Sequence, residues 1–201
     1  MRLGILGGTF SPPHLGHLLL AQEAMEKAEL SKIIFIPCGN PPHKNAEDVI
    51  DARLRFEMVN RAIIGNPDFE ISDIEVVSKE PSYTAKTLEK LQMIYPQDTL
   101  CFIIGADSLC NIDSWYSPQE VFNRAEIIAA NRGGADLTEF NRAVLHCEEK
   151  YNAKITTIEM KVNMSSSDIR ERVRRGKSVR YMLCPAVIEY IKENGIYKEQ
   201  D

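Results

Sequence analysis

Five short runs, Leu3–Leu6, Ile33–Pro37, Thr99–Ile104, Glu126–Ala130 and Ile155–Ile158, are mostly apolar and recur between longer segments of helical periodicity. Runs of this length that are apolar at consecutive positions suit strands covered on both faces, as parallel strands are. The intervening segments His17–Ala28, Ala52–Ile64, Thr84–Ile94, Pro118–Arg124 and Leu137–Tyr151 are long enough to carry the chain back across a sheet as helices. This alternation predicts an α/β fold, a Rossmann-like open parallel sheet with helices on both faces and right-handed crossovers. Two more helices, Ser166–Arg175 and Pro185–Asn194, predict a small C-terminal helical portion, the second closed by Gly195 in the position favoured after a helix end. No repeat or low-complexity linker interrupts the pattern, so residues 1–201 are expected to form a single domain.

Charge narrows the partners. With 24 basic and 29 acidic residues the net charge is −5, which argues against a general nucleic-acid or anionic-membrane binder. The C-terminal basic cluster Arg172, Arg174, Arg175, Lys177 and Arg180 is interrupted by Glu171, which separates it from Arg170, and lacks an aromatic platform, so most of it reads as a solvated helix face. No apolar run approaches the roughly 20 residues of a membrane span, and the N-terminus has no signal-peptide pattern, so the expected compartment is the cytoplasm. Five scattered cysteines without Cys-x-x-Cys spacing predict neither a disulfide framework nor a zinc site.

In open parallel sheets the turn from the first strand into the first helix is a frequent phosphate site. Here it reads Gly7-Gly8-Thr9-Phe10-Ser11-Pro12-Pro13-His14-Leu15-Gly16-His17. The glycines allow backbone to approach a ligand, the prolines stiffen the turn, and the spacing puts His14 just outside the helix and His17 in its first turn. Neither a P-loop nor a Gly-x-Gly-x-x-Gly fingerprint occurs. His43, Cys38 and Asp107 show no ligand spacing that would complete a zinc site with the histidine pair. Two imidazoles at a helix N-terminus without a metal point to charge stabilisation in phosphoryl or nucleotidyl transfer, against the plainer possibility that they only cap the helix.

Thr9-Phe10 and His14-Leu15-Gly16-His17 match the T/H-x-G-H signature of the nucleotidyltransferase superfamily, and the long form resembles the bacterial nicotinate-nucleotide adenylyltransferases. Those enzymes usually carry Asp where this chain has Ser11, which can still accept a backbone hydrogen bond. The resemblance continues through Asn40-Pro41-Pro42-His43-Lys44, through Pro81-Ser82-Tyr83-Thr84 and on to Thr87-Leu88, through Gly105-Ala106-Asp107 with Trp115 after it, and through Ser165-Ser166-Ser167-Asp168-Ile169-Arg170. It implies adenylyl transfer from ATP to nicotinate mononucleotide, with magnesium accompanying ATP. It further implies His14 and His17 as catalytic residues, Gly8, Thr9, Phe10, His17, Gly105, Asp107, Ser165, Ser166 and Arg170 at ATP, and Asn40, Lys44, Thr84, Asp107, Trp115 and Tyr116 at the mononucleotide. Stacking of Trp115 on the pyridine ring is physically reasonable. Ser82 or Thr84, and Ser165 or Ser166, are equally read as helix N-caps. A related amide-specific or other small-molecule adenylyltransferase, or a non-catalytic nucleotide-binding regulator, stays open at this level, as does the choice between monomer and homodimer.

Overall fold

The computed structural model describes residues 1–41, 49–131, 137–162 and 164–198. Along the chain come β1 (Arg2–Gly8), α1 (Leu15–Lys27), β2 (Lys32–Pro37), α2 (Ala52–Ile63), β3 (Phe69–Ile71), α3 (Thr84–Ile94) and β4 (Thr99–Gly105). They are followed by α4 (Ala106–Cys110), a 3-10 turn at Ile112–Ser114, α5 (Pro118–Arg124), β5 (Ala125–Asn131), α6 (Leu137–Tyr151), β6 (Ile155–Glu159), α7 (Ser166–Arg174) and α8 (Pro185–Glu193). All pairings are parallel, in the order β3-β2-β1-β4-β5-β6.

The expected Rossmann-like sheet is present, and alternate residues of each strand serve opposite faces. Ile34 and Ile36 of β2 pack with Leu88 and Leu91 of α3 and with the α5 and α6 side, whereas Ile33 and Phe35 face Leu20, Ala24 and Val59 of α1 and α2. A third apolar cluster joins Met58 of α2 to Ile169 of α7, Val187 and Ile191 of α8, and Ile196. Among the described residues no helix is long and apolar enough to cross a membrane.

Three features differ from expectation. The edge strand β3 was not anticipated, because three half-buried residues, Phe-Glu-Ile, are too short to show periodicity. Helix α4 is a five-residue element and was hidden for the same reason. Gly7 and Gly8, read as loop, belong to β1 and stand opposite Ile36 and Pro37; without side chains they gave no apolar signal to extend the strand.

The topology fixes the site. Connections from β1 lead to β2 and β3 on one side, then β4 crosses back to pair with the other side of β1. The carboxyl ends of β1 and β4 therefore frame the crevice where open α/β sheets bind ligands.

Candidate active site

The turn after β1 is shaped by its own side chains. Phe10 takes a positive φ of 48° and buries its ring against Phe35 and the edge of His17. His14 is the N-cap of α1 and nearly fully buried, and His17 stands at the third helical position. Their rings stack at 3.7 Å between centroids, and the His14 backbone N–H donates to His17 Nδ1 at 3.1 Å. With Nδ1 accepting, a neutral His17 carries its proton on Nε2, the nitrogen at the far side of the ring. Gly16 lies in close approach to the pair: a Cβ there would meet the His14 ring at 3.0 Å, so the ring would have to give way.

Two cavities adjoin at this turn. The larger, about 610 Å³, is lined by Gly7, Gly8, Thr9, His17, Gly105, Asp107, Trp115 and Ser165 among others. The smaller, about 240 Å³ and mostly apolar, is lined by Gly7, Gly8, Thr9, Cys38, Ser82, Thr84, Phe102 and Trp115 among others. Gly7–Thr9, Phe102 and Trp115 belong to both walls. Trp115 is half-buried, its ring set edge-on to Phe102 at 6.2 Å. Burial pushes the Cys38 thiol up to about 11, so this cavity-wall cysteine is a neutral thiol at physiological pH.

Other anticipated residues hold the walls in place. Ser165 caps α7, accepting from the Asp168 N–H at 3.1 Å, while its neighbours reach back to the turn. Ser166 Oγ donates to the Pro12 carbonyl at 2.9 Å and Arg170 Nη1 to the Ser11 carbonyl at 2.9 Å. Neither Ser82 nor Thr84 caps α3, whose N-cap is Tyr83; Ser82 Oγ instead accepts from the Gly39 and Asn40 N–H groups, both at 3.1 Å. Tyr116 is exposed and stacks on Tyr83 at 4.6 Å. Asn40 is exposed, its carbonyl accepting from the Ser82 N–H. Phe10 lies in the core beneath His17. Lys44 and His43 lie outside the described residues.

Ser11 was expected to support local backbone, but its hydroxyl pairs with the Tyr197 hydroxyl at 2.9 Å, 186 residues away. Burial pushes the Tyr197 phenol up to about 12, so it is neutral at physiological pH. An aspartate at position 11 would accept from that phenol and sit near Arg170. Ser11→Asp is therefore expected to change kcat by less than about tenfold, since one neutral hydrogen bond is worth about 1 kcal/mol. Loss of ATP affinity in that variant would show that the turn depends on the serine itself.

Two anchors were invisible in the sequence. Arg55, 1% exposed, donates to the carbonyls of Ile50, Thr9 and Gly39 at 3.0, 2.9 and 3.3 Å, tying the turn after β1 to the segment after β2. Nothing in its sequence context separates it from the exposed Arg53 or the half-buried, ion-paired Arg61 of the same helix. Arg55→Leu leaves these carbonyls without their guanidinium donors, at about 1–3 kcal/mol for each buried group left unpaired. The expected result is a chemical-denaturation free energy lower by at least about 2 kcal/mol; an unchanged midpoint would remove this clamp from the account.

The second anchor holds the turn that precedes Trp115. Asp113 accepts from the Tyr151 hydroxyl at 2.6 Å and Lys150 Nζ at 3.1 Å, with His146 Nε2 at 3.0 Å. The Tyr151 hydrogen bond first, then Lys150, holds the carboxyl down to about 2. A folded pKa below the unfolded value of about 3.9 gives stability that is complete above that value and lost as pH falls towards 2. Acid-unfolding curves of the native chain and Asp113→Asn should accordingly separate above about pH 4 and converge below; parallel curves throughout would dismiss the anchor.

Residues 5–172 match the cytidylyltransferase-like family. A probable nicotinate-nucleotide adenylyltransferase of Carboxydothermus hydrogenoformans is 41% identical over 198 residues, covering 98% of either chain. Its counterpart in Caldicellulosiruptor bescii is 43% identical over 199 residues, covering 98% of this chain and all of its own. Among solved structures, Plasmodium falciparum nicotinic acid mononucleotide adenylyltransferase complexed with NaAD superposes with a TM-score of 0.80 at 19% identity, over 98% of this chain and 97% of that one. That likeness speaks for the fold, while the sequence relatives speak for descent. With the paired histidines at the switch point of the sheet and relatives matched from end to end, the chain belongs to the cytidylyltransferase-like family and, within it, to the nicotinate-nucleotide adenylyltransferases.

Proposed function

We infer that the protein transfers the adenylyl group of ATP to nicotinate mononucleotide, releasing pyrophosphate and forming nicotinate adenine dinucleotide, a step of NAD biosynthesis. The observation that carries this reading, beside the family, is the pair of adjoining cavities that share Gly7–Thr9 and Trp115 as a common wall. Two substrates must meet there with one phosphate of each in contact. ATP is assigned to the larger cavity, with Gly8, Thr9, Gly105, Asp107 and the Ser165 end of α7 around it, and the pyridine mononucleotide to the smaller, with Thr84 and Trp115.

The 5′-phosphate of the mononucleotide is the nucleophile. It is largely dianionic near neutral pH, its second pKa being about 6, so no general base is needed. Its oxygen attacks the α-phosphorus in line with the pyrophosphate leaving group, and the protein supplies alignment and charge stabilisation. In this reading His17 Nε2–H donates to the α-phosphate as negative charge builds there, and His14, buried beneath it, sets the orientation of that ring. Lys44 is kept as a phosphate-binding charge on the sequence resemblance. Ser166 and Arg170 act by holding the Ser11–Pro12 carbonyls, which presents the turn to the nucleotide. Magnesium accompanies ATP. Held by phosphate oxygens and water, it would neutralise charge on the triphosphate.

The third apolar cluster, joining α7 and α8 to α2, supports reading residues 1–201 as one domain. Five free cysteines suit the reducing cytoplasm as the proposed compartment. The deciding experiment follows pyrophosphate released from ATP and magnesium with and without nicotinate mononucleotide. Release only in its presence is expected; ATP binding without release under either condition would make the protein a nucleotide-binding regulator.

A further inference from the structure

One charged side chain on the smaller cavity is not used by the reaction as described. Glu75, in the segment after β3, is the only charged residue among the described residues of a wall that is otherwise apolar or neutral, with Ile5, Ile36, Phe102 and Trp115 around it. It is held from two sides. Its Oε1 accepts from Thr87 Oγ1 at 2.7 Å, and Thr87 is itself buried on α3. Its backbone carbonyl lies against Gly39, where a Cβ would come within 1.9 Å of it, so only glycine fits beneath this segment.

A carboxylate fixed beside a pocket for a substrate that carries a phosphate and a carboxylate opposes binding by Coulomb repulsion. The ring removes the conflict. Its nitrogen is bonded to ribose, so it is quaternary and permanently positive whatever the pH. Burying that cation in an apolar pocket costs free energy unless an opposite charge or an aromatic face meets it, and an indole face alone offers only a modest attraction.

We propose that Glu75 is the counter-ion of the substrate's pyridinium ring and, with Trp115, makes the pocket select a cationic ring over a neutral ring of the same shape. Thr87 is its positioning residue. This rests on the assignment of the mononucleotide to the smaller cavity. The consequence is specificity for N-linked pyridinium ribotides as a chemical class, separate from any choice between acid and amide at the ring's substituent.

The test compares nicotinate mononucleotide with an uncharged isostere, the 5′-phosphate of a 3-carboxyphenyl C-riboside, at saturating ATP. The native enzyme is expected to favour the pyridinium substrate by about tenfold or more in kcat/KM. Glu75→Gln should bring that ratio towards one by raising KM for the pyridinium substrate, with KM for ATP unchanged and the isostere affected by less than about threefold. If Glu75 only braces α3 through Thr87, both substrates lose efficiency alike and the ratio stands, which overturns the proposal. A native enzyme that treats the two rings equally overturns it as well, and that measurement needs no variant to fold. Absence of turnover with nicotinate mononucleotide itself is a different result: it removes the functional reading, and this inference with it.

Discussion

Replacing His17 by alanine is expected to lower kcat by roughly 10² to 10³ while KM for ATP moves by less than about threefold. The magnitude follows from what a preorganised donor contributes when charge develops opposite it in a water-poor site. His17 is suited to that part because the His14 N–H occupies Nδ1 and leaves Nε2 as the donating nitrogen, on a ring that lines the larger cavity. Its removal takes away the hydrogen bond to His14 N–H and a stacked ring, which is worth about 1 kcal/mol of stability and leaves the fold intact. Turnover and thermal melting measured on the same preparation separate the two roles. A variant with near-normal kcat and a lowered melting temperature would reduce His17 to a helix-capping residue.

Preference for nicotinate mononucleotide over the corresponding amide is expected to reach at least about a hundredfold in kcat/KM. Ribose, phosphate and ring are common to both substrates, so Trp115 and the histidines cannot discriminate strongly. The choice falls to the start of α3 and the backbone beside Trp115. Helix α3 begins at Thr84, on the wall of the smaller cavity, and Tyr83 provides no side-chain cap. Its first-turn N–H groups have no intrahelical acceptor, and together with the helix dipole they favour an anion. Tyr83 stacked on Tyr116 keeps the two segments side by side. A carboxylate there gains charge-assisted hydrogen bonds, whereas an amide turns its NH₂ group against donors. Kinetics with both mononucleotides at saturating ATP and magnesium decide the matter. Equal efficiencies, or a better amide, would make the enzyme dual in specificity or a nicotinamide-mononucleotide adenylyltransferase.

What the sequence determined by itself was the architecture and the centre of the candidate site. Runs such as Ile-Ile-Phe-Ile in β2 alternate with helical segments, and period and length are local properties that report burial on both faces without knowledge of the rest of the chain. The Gly-Gly-Thr-Phe and His-x-Gly-His spacing placed two imidazoles at a helix start for the same local reason: position along a helix sets direction. Elements of three to five residues, β3 and α4, escaped because they span less than two periods of the pattern that would reveal them. The supports of the site were decided only by tertiary structure, since each is a partnership across the chain. Arg55 meets Thr9 across 46 residues, Asp113 meets Tyr151 across 38, and Ser11 meets Tyr197 across 186. In the sequence Arg55 is one charge among several on an amphipathic helix, and Glu75 one acid in a polar stretch. Packing buries the first beneath the turn after β1 and sets the second on the wall of an apolar pocket. A charge takes its meaning from the solvent it has lost and the groups it then faces, and both are set when distant segments pack together.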